Sequence, residues 1–593
     1  MAYSQAWLED PASIRKVFII ADVYDVVAAA TIQIYLSNTA YMTDDRITFL
    51  PIIVGSVTLQ ESMSIDNSQA SMSFGTVTLD NSSGEYDNYL DITKYIWQNR
   101  DVQVYYGDPF WATATIAAFK TDFKLVFSGI VENIDSQSRT QLSLKLRDKL
   151  QKFNTAITET DLATTGDIST IQPLQDTIIP VVLGEVFNIN IPLVRPGSLR
   201  YFMHDGVIER VVEIRDNGVP LYTTDNLDTG WAGTLNLTNV AVTATYTSYT
   251  TTNLVVNSTT GILVGMNITG TGFSSNQTVL AVVDATNLTI SAIPDVTPSG
   301  TLTFTNKSSY VELARSAAGV ITATIQGDKR SVNLTTGVLD AANYQNSAPH
   351  LIALLATQYG TVDSKITSSE IDLVNFQEVA TLRPYSLGIY ISGRDNLFTL
   401  CQTIATSIGS QLTSTREGKL YLHTIGVPKT TDLNITTITD DDIAAKSLSI
   451  SNRTQVVGAT KINYCKNWSM QPDLLTLIPQ AHKEIFSKPS NSAIYADDAI
   501  CTLYKTTKDP VGKDTYLVSR EDALTEATRL NAYYSQQRTV YRFKGFARLL
   551  SLQLGQQVTL THARFGLNSG KVGQVTSLSP NWTDSTIQVE VII

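Results

Sequence analysis

The chain has 593 residues, more than one hydrophobic core serves, so several domains are expected. Only 17% of residues are charged, and strand formers and small polar residues dominate, a composition that suits rigid β-rich architecture better than disorder. A net charge of −12 argues against a general nucleic-acid binder, which needs clustered Lys and Arg to displace counterions, but is compatible with DNA passing nearby.

The first residues, Met-Ala-Tyr-Ser-Gln-Ala-Trp, lack a basic region followed by an apolar run, and residues 17–36 are interrupted by Asp22 and Asp25. Synthesis in the cytosol without a membrane span is the expectation. Residues 15–23 and 31–36 read as strands, continued by 49–54 and 57–59. From 71 to 153 the pattern predicts antiparallel β with a helix laid across it. A strand ends at Leu79, the loop Asp80-Asn-Ser-Ser-Gly-Glu-Tyr-Asp87 follows, and a short helix is expected over 92–97. Strands are then expected over 102–106, 123–127, 129–134 and 141–146, with a polar turn over 135–140. Leu142, Leu144 and Leu146 alternate with Gln141, Ser143 and Lys145, the period of a strand with one buried face.

In this order, the strand end Leu79-Asp-Asn81, the Trp97-Gln-Asn-Arg100 helix end, the aromatic strand capped by Gly107-Asp108, and Phe127-Ser-Gly-Ile-Val131 running to Leu146-Arg-Asp148 resemble the first domain of bacteriophage tail hub proteins. The resemblance implies a tail-tube-like β-barrel there. A second match, Pro180-Val-Val-Leu-Gly-Glu-Val-Phe-Asn188, resembles the segment that such hubs carry at the end of this domain.

A hairpin is expected from the strand over 211–215 and the turn Asp216-Asn217-Gly218, since Asn-Gly accepts the positive φ angles of a tight turn. Its continuation reads at 310–313 and 318–327. Between them, residues 233–306 are nearly free of charge and rich in Thr, Asn, Gly and Val. There Thr260-Gly-Ile-Leu-Val-Gly-Met266 and Thr269-Gly-Thr-Gly272, followed by strands over 278–283 and 288–291, resemble a small β-module that recurs in phage structural proteins. Surface decoration is its expected role, with glycan adhesion as the alternative. Several Asn-x-Ser/Thr triplets, at Asn236, Asn257, Asn267 and Asn287, reflect this composition and not glycan sites.

Ser347-Ala-Pro349 opens a predicted helix with Leu351, Leu354 and Leu355 on one face and Gly360 at its end. A strand over 388–391 precedes a helix with Asp395 as N-cap and Leu397, Leu400, Cys401, Ile404 and Ile408 inward, up to Gly409. A hairpin pairs 411–412 with 420–422. Asp440 to Asp442 read as a helix or strand entry facing water, and Tyr464-Cys-Lys-Asn-Trp468 resembles a strand end of the tail hubs. Ser519 and Asp522 cap a helix with Leu524, Ala527 and Leu530 inward, and strands including 558–560 and 573–578 close the chain. The layout of 129–134, turn, 142–146 recurs at 573–578, turn, 587–591. Family hubs carry two tube-like barrels per chain, so that three subunits mimic a six-fold tube.

No catalytic, cofactor-binding or metal-binding residue is assigned. His204, His350, His423, His482 and His562 are scattered without metal-ligand spacing, and Cys401, Cys465 and Cys501 form no close pair, so reduced thiols are expected. Gly566-Leu-Asn-Ser-Gly-Lys571 is one residue short of a phosphate loop and is followed by Val572 where a Ser or Thr belongs, so it reads as a hairpin turn. Gly270-Thr-Gly272 also reads as a turn. The polar set Asp80, Ser82, Gly84, Glu85 and Asp87 lacks the distal Glu of a calcium loop and reads as a solvated turn.

The expected protein is mainly β with α+β parts and multidomain. Residues 1–198 are a tail-tube-like β-barrel. Residues 199–365 are a second β-rich domain interrupted by the all-β module 233–306. Residues 366–480 are an α+β hub domain, and 481–593 a C-terminal barrel-type domain with one helix. The resemblance implies a non-enzymatic virion subunit at the tail tip or baseplate, made in the host cytoplasm, that joins the tail tube to the distal tip around a DNA channel. It implies a homotrimer whose partners are distal tail and tube proteins, the tape-measure protein and tip or fibre proteins, without cofactors. DNA crosses the lumen without specific binding. A tail-tip adhesin that contacts a host-surface glycan through the module is the alternative, and a fused cell-wall hydrolase is disfavoured by the absence of catalytic motifs.

Overall fold

The computed structural model describes residues 3–66, 74–158, 177–223, 233–236, 241–260, 262, 266–305, 308–427, 435–474 and 478–593. Strands take up 43% of the chain and helices 19%, in several sheets and one closed barrel, so the protein is mainly β and multidomain.

The largest sheet draws on both ends of the chain. Its first eight strands are β1 (Lys16–Asp25), β2 (Ala30–Ser37), β3 (Ile53–Ser62), β4 (Phe74–Asp80), β5 (Tyr95–Ile96), β6 (Asp101–Gly107), β7 (Lys124–Ser138) and β8 (Gln141–Asp148). The other six are β9 (Thr436–Ile438), β10 (Ser449–Arg453), β11 (Thr539–Gly545), β12 (Gln557–Leu560), β13 (Lys571–Asn581) and β14 (Thr586–Ile592). The order across the sheet is β2-β1-β6-β7-β8-β4-β3-β13-β14-β11-β10, with β5 on β1, β12 on β13 and β9 on β12. The alternation of β8 is observed: Leu142, Leu144 and Leu146 enter one core with Val77, Leu79, Val575, Leu578, Val589 and Phe543.

The predicted hairpin forms between Ile208–Asp216 and Val219–Thr223, with Asn217 and Gly218 at φ +47° and +82°. It continues onto Ile321–Asp328, Val181–Asn190 and Gly388–Ile391 in a five-stranded sheet. A four-stranded sheet pairs Thr234–Asn236 with Ser309–Glu312, and residues 241–305 close into a separate six-stranded barrel around Leu254, Val279, Leu288 and Phe304. Gly261, Leu263, Val264 and Gly265 of the module motif, and Ser71 to Ser73 at the start of the stretch 71–153, lie outside the described residues.

Helices α1 (Ala348–Gln358), α2 (Leu397–Ser407) and α3 (Arg520–Tyr534) share one core, where Leu351, Leu355, Cys401, Ile404, Ala527 and Leu530 meet. Proline in the first turn and Gly360 at φ +85° bound α1, as the sequence predicts, and the Ser519 hydroxyl accepts the Glu521 and Asp522 amides at the start of α3; the Asp522 carboxylate does not complete the predicted cap but accepts the Ser386 amide at 3.1 Å.

Three local expectations are corrected. Residues 92–97 are not a helix: a 3-10 helix spans Glu85–Leu90, and Tyr95–Ile96 pair with β1. The Tyr89 ring packs against Trp97, and Asp91 folds the chain back by accepting the Thr93 amide. The N-cap of α2 is Asn396, whose Oδ1 accepts the Thr399 amide at 3.0 Å, because the Asp395 carbonyl is held by the Ile157 amide. Asp442 does not face water: it closes a capping box with Thr439 and is buried against Arg548.

Candidate assembly interface

The two halves of the large sheet are built on one plan. In the β7–β8 hairpin Val131 faces Leu146, Asn133 faces Lys145, and Glu132 is bulged out. In the β13–β14 hairpin Val575 faces Val591, Ser577 faces Glu590, and Thr576 is bulged out. A bulge inserts one residue and turns the ladder, so its recurrence at the same step is a duplicated structural feature. The match extends outward through both hairpins. β8 pairs with β4 (Leu144 opposite Val77) as β14 pairs with β11 (Val589 opposite Phe543). β4 pairs with β3 (Gly75 opposite Leu59) as β11 pairs with β10 (Tyr541 opposite Ile450).

On the other side, Val102 faces Gly129 and Val558 faces Gly573. Just before each of those strands a residue takes positive φ, Asn99 at +60° and Gly555 at +78°, and its amide donates to the carbonyl of Val131 or Val575 at 2.9 Å. The echo in the sequence is therefore a repeated structural unit. β1 and β2 extend only the first copy.

The copies are joined by pairing of β3 with β13, where Ser62 faces Ser577, Glu61 faces Leu578 and Thr58 faces Asn581. The Met63 amide donates to the Thr576 carbonyl at 2.9 Å and the Trp582 amide to the Val57 carbonyl at 3.0 Å. Trp582 is buried edge-on to Tyr106, whose hydroxyl meets Ser585 at 2.7 Å, and burial pushes that phenol up to about 12. Arg416, from the turn between Ser410–Ser414 and Leu420–Thr424, donates to Glu61 Oε1 at 2.6 Å and to the Leu550 carbonyl at 2.8 Å. The junction is thus locked by a mostly buried ion pair between residues 355 positions apart, which no local pattern announces.

Beside the junction lies a cavity of about 330 Å³ lined by Lys124, Arg416, Tyr421, His423, Leu550 and Trp582. Burial lowers His423 to about 4, so it is neutral. His204 is also buried and lowered to about 4, chiefly by desolvation; its Nδ1 accepts the Val182 amide, which leaves the proton on Nε2, 3.8 Å from Asp328. Asp328 is in turn held by Arg330 and by the Tyr359 hydroxyl at 2.7 Å. His204 lies in the strand Arg200–His204 and His423 in the strand Leu420–Thr424, in different sheets.

The polar side of the sheet carries cross-strand pairs: Lys145 with Asp135 at 2.8 Å, Arg147 with Glu132 at 3.0 Å and Arg542 with Glu590 at 2.7 Å. Gly566 and Gly570 lie in the loop between β12 and β13, at φ +71° and +73°, so the phosphate-loop-like segment is a hairpin turn. Among the described residues, no three His, Cys, Asp or Glu side chains converge as a metal site, the three cysteines are unpaired thiols, and no helix is long and apolar enough to cross a membrane.

No protein-family model matches the chain, and no curated protein matches it. Among solved structures it is similar to the 43 kDa tail protein of prophage MuSo2 from Shewanella oneidensis, at 9% identity and a TM-score of 0.33 over 98% of this chain and 98% of that one. It is similar to the tail protein from Neisseria meningitidis MC58, at 8% identity and a TM-score of 0.32 over 97% and 96% of the two chains. A third similarity is to prophage tail protein gp18 from Listeria monocytogenes EGD-e, at 7% identity and a TM-score of 0.32 over 97% and 94%.

Proposed function

We propose that this chain is a structural, non-enzymatic subunit of a phage tail-tip or baseplate hub, and that three copies surround a channel for DNA between the tail tube and the distal tip. The observation that carries the proposal is the duplicated unit: each chain supplies two equivalent segments of one continuous sheet, so three chains supply the six that a six-fold tube would meet. The sequence resemblance adds weight, because two of its separate motifs, Phe187-Asn188 and Asn467-Trp468, meet across a parallel bridge. The polar face of the sheet suits a wall that DNA slides past, since its Lys145, Arg147 and Arg542 are each matched by a carboxylate.

The test is the mass and shape of the purified protein. Native mass measurement across concentration and salt is expected to give a trimer, and particle images a three-fold ring with a central hole. A monomer under all conditions, or a compact particle without a hole, overturns the proposal.

A further inference from the structure

The duplication leaves one relationship made only once within the chain. In the second copy, the far half of the long strand β13 (Ser577–Asn581) is covered by β3 of the first copy. In the first copy, the far half of β7 is paired on one side by β8 and on the other, among the described residues, by no strand; Asn133, Ser136 and Gln137 are exposed. The counterpart of β3 is β10, the terminal strand of the sheet, which among the described residues pairs only with β11 and exposes Ser449, Ser451, Asn452 and Arg453. The chain therefore carries both halves of a second junction, on opposite sides of the repeat, where one chain cannot join them to each other.

We infer that β10 of one copy pairs antiparallel with the outer half of β7 of the next copy, in the register that β3 and β13 already use. The repeat fixes that register. Val540 and Phe74 are equivalent through their partners Ile592 and Arg147, so Asn452 stands where Gln60 stands, and Arg453 where Glu61 stands. Ser577 and Leu578 correspond to Asn133 and Ile134. Leu578 opposite Glu61 within the chain becomes Ile134 opposite Arg453 between chains, and Asn581 opposite Thr58 becomes Ser138 opposite Ser449, since Gln137 is bulged out of the ladder between Ser136 and Ser138.

The edges themselves agree: unpaired strand edges are normally covered, and these two lack the proline or lysine that blocks pairing. The junction is a heterologous contact, so it closes into a ring or propagates. It rests on the proposed function only for the number of copies in that ring.

Cysteine cross-linking of the full chain tests the register. Ser138→Cys combined with Ser449→Cys is expected to give covalent oligomers under mild oxidation. Each single variant should give none, and Thr58→Cys with Asn581→Cys should close within one chain and serve as the geometric control. Cross-linked rings of a size other than three keep the junction and remove the hub proposal. Trimers that form but do not cross-link at this pair, or at pairs displaced by one residue, overturn the junction and leave the hub proposal standing. A protein that stays monomeric while the control pair closes overturns both.

Discussion

The side-chain amide of Asn188 donates to Asn467 Oδ1 at 2.8 Å and to the Ser469 carbonyl at 2.7 Å. The Asn467 amide in turn donates to the carbonyls of Phe486 and Lys488. Two motifs 279 residues apart are thus one buried hydrogen-bonded unit. Asn188 also takes φ +51°, which Asn accepts more readily than most residues. Asn188→Ala should cost about 2–4 kcal/mol, from orphaned buried partners and the left-handed backbone together. Asn188→Gly should carry only the first of these costs, the orphaned partners, because glycine tolerates the left-handed backbone. Urea midpoints should therefore rank wild type, then Gly, then Ala; equal losses would mean that the backbone contributes nothing.

Much of the β architecture was legible because periodicity and turn chemistry are local: the alternation in β8, Asn217-Gly218 and the Ser519 cap each report on their own neighbourhood. The helix expected over 92–97 failed because Trp97 packs against Tyr89 of the preceding 3-10 helix, itself packed beside Tyr86, a tertiary preference that propensity does not carry. The interface was only faintly legible. The echo of 129–134 in 573–578 was visible, but the pairing of β3 with β13 joins residues more than 500 apart, and Arg416 gives no local sign of its partner Glu61.

That ion pair makes a direct test of the junction. Glu61 and Arg416 have side-chain exposures of 11% and 15%, so Glu61→Ala strands a guanidinium in the protein interior and is expected to destabilise by about 3–5 kcal/mol. The double variant Glu61→Leu with Arg416→Leu should recover most of that loss. Chemical denaturation of the single and double variants measures the coupling, and additive losses would remove the pair from the account of the junction.

Acid should weaken the fold through two histidines. His204 and His423 are lowered to about 4 by burial, below their ordinary value near 6.5, so the unfolded chain takes up more protons in that interval. Stability is then complete above about pH 6.5, falls as pH drops toward 4, and stops falling from this source below that. Each histidine contributes a slope of at most about 1.4 kcal/mol per pH unit. His423→Phe should remove its share, and the urea midpoint of that variant between pH 7 and 4.5 should fall less steeply than the wild type; parallel curves would refute the assignment.

The paired charges on the sheet predict how DNA meets the protein. Glu132, Asp135 and Glu590 neutralise Arg147, Lys145 and Arg542, so the assembled wild type should retain little duplex DNA at physiological salt. Glu132→Gln, Asp135→Asn and Glu590→Gln together uncover three cations per chain. Filter retention of DNA by that variant should rise and fall steeply with added salt. Strong retention by the wild type, or no change in the variant, would place these residues away from the channel.

The barrel formed by residues 241–305 should be removable without harm to the rest. Its first and last strands, Ala241–Thr250 and Ser299–Thr305, pair directly, with Ala241 opposite Thr305, so the entry and exit of the chain are hydrogen-bonded neighbours. Its apolar residues form a core of their own, separate from those of the surrounding sheets. Thr234–Asn236 must stay, because they pair with Ser309–Glu312 outside the barrel. Replacing 241–305 by a short Gly/Ser linker that leaves these strands in place closes a small loop in place of a folded unit, and loop closure of that length is cheap. The melting temperature of the remainder and its oligomeric mass are expected to change little. Insolubility or loss of assembly would mean that the barrel braces the sheets around it. Normal assembly with loss of adsorption to host cells would instead assign it a contact with the host surface.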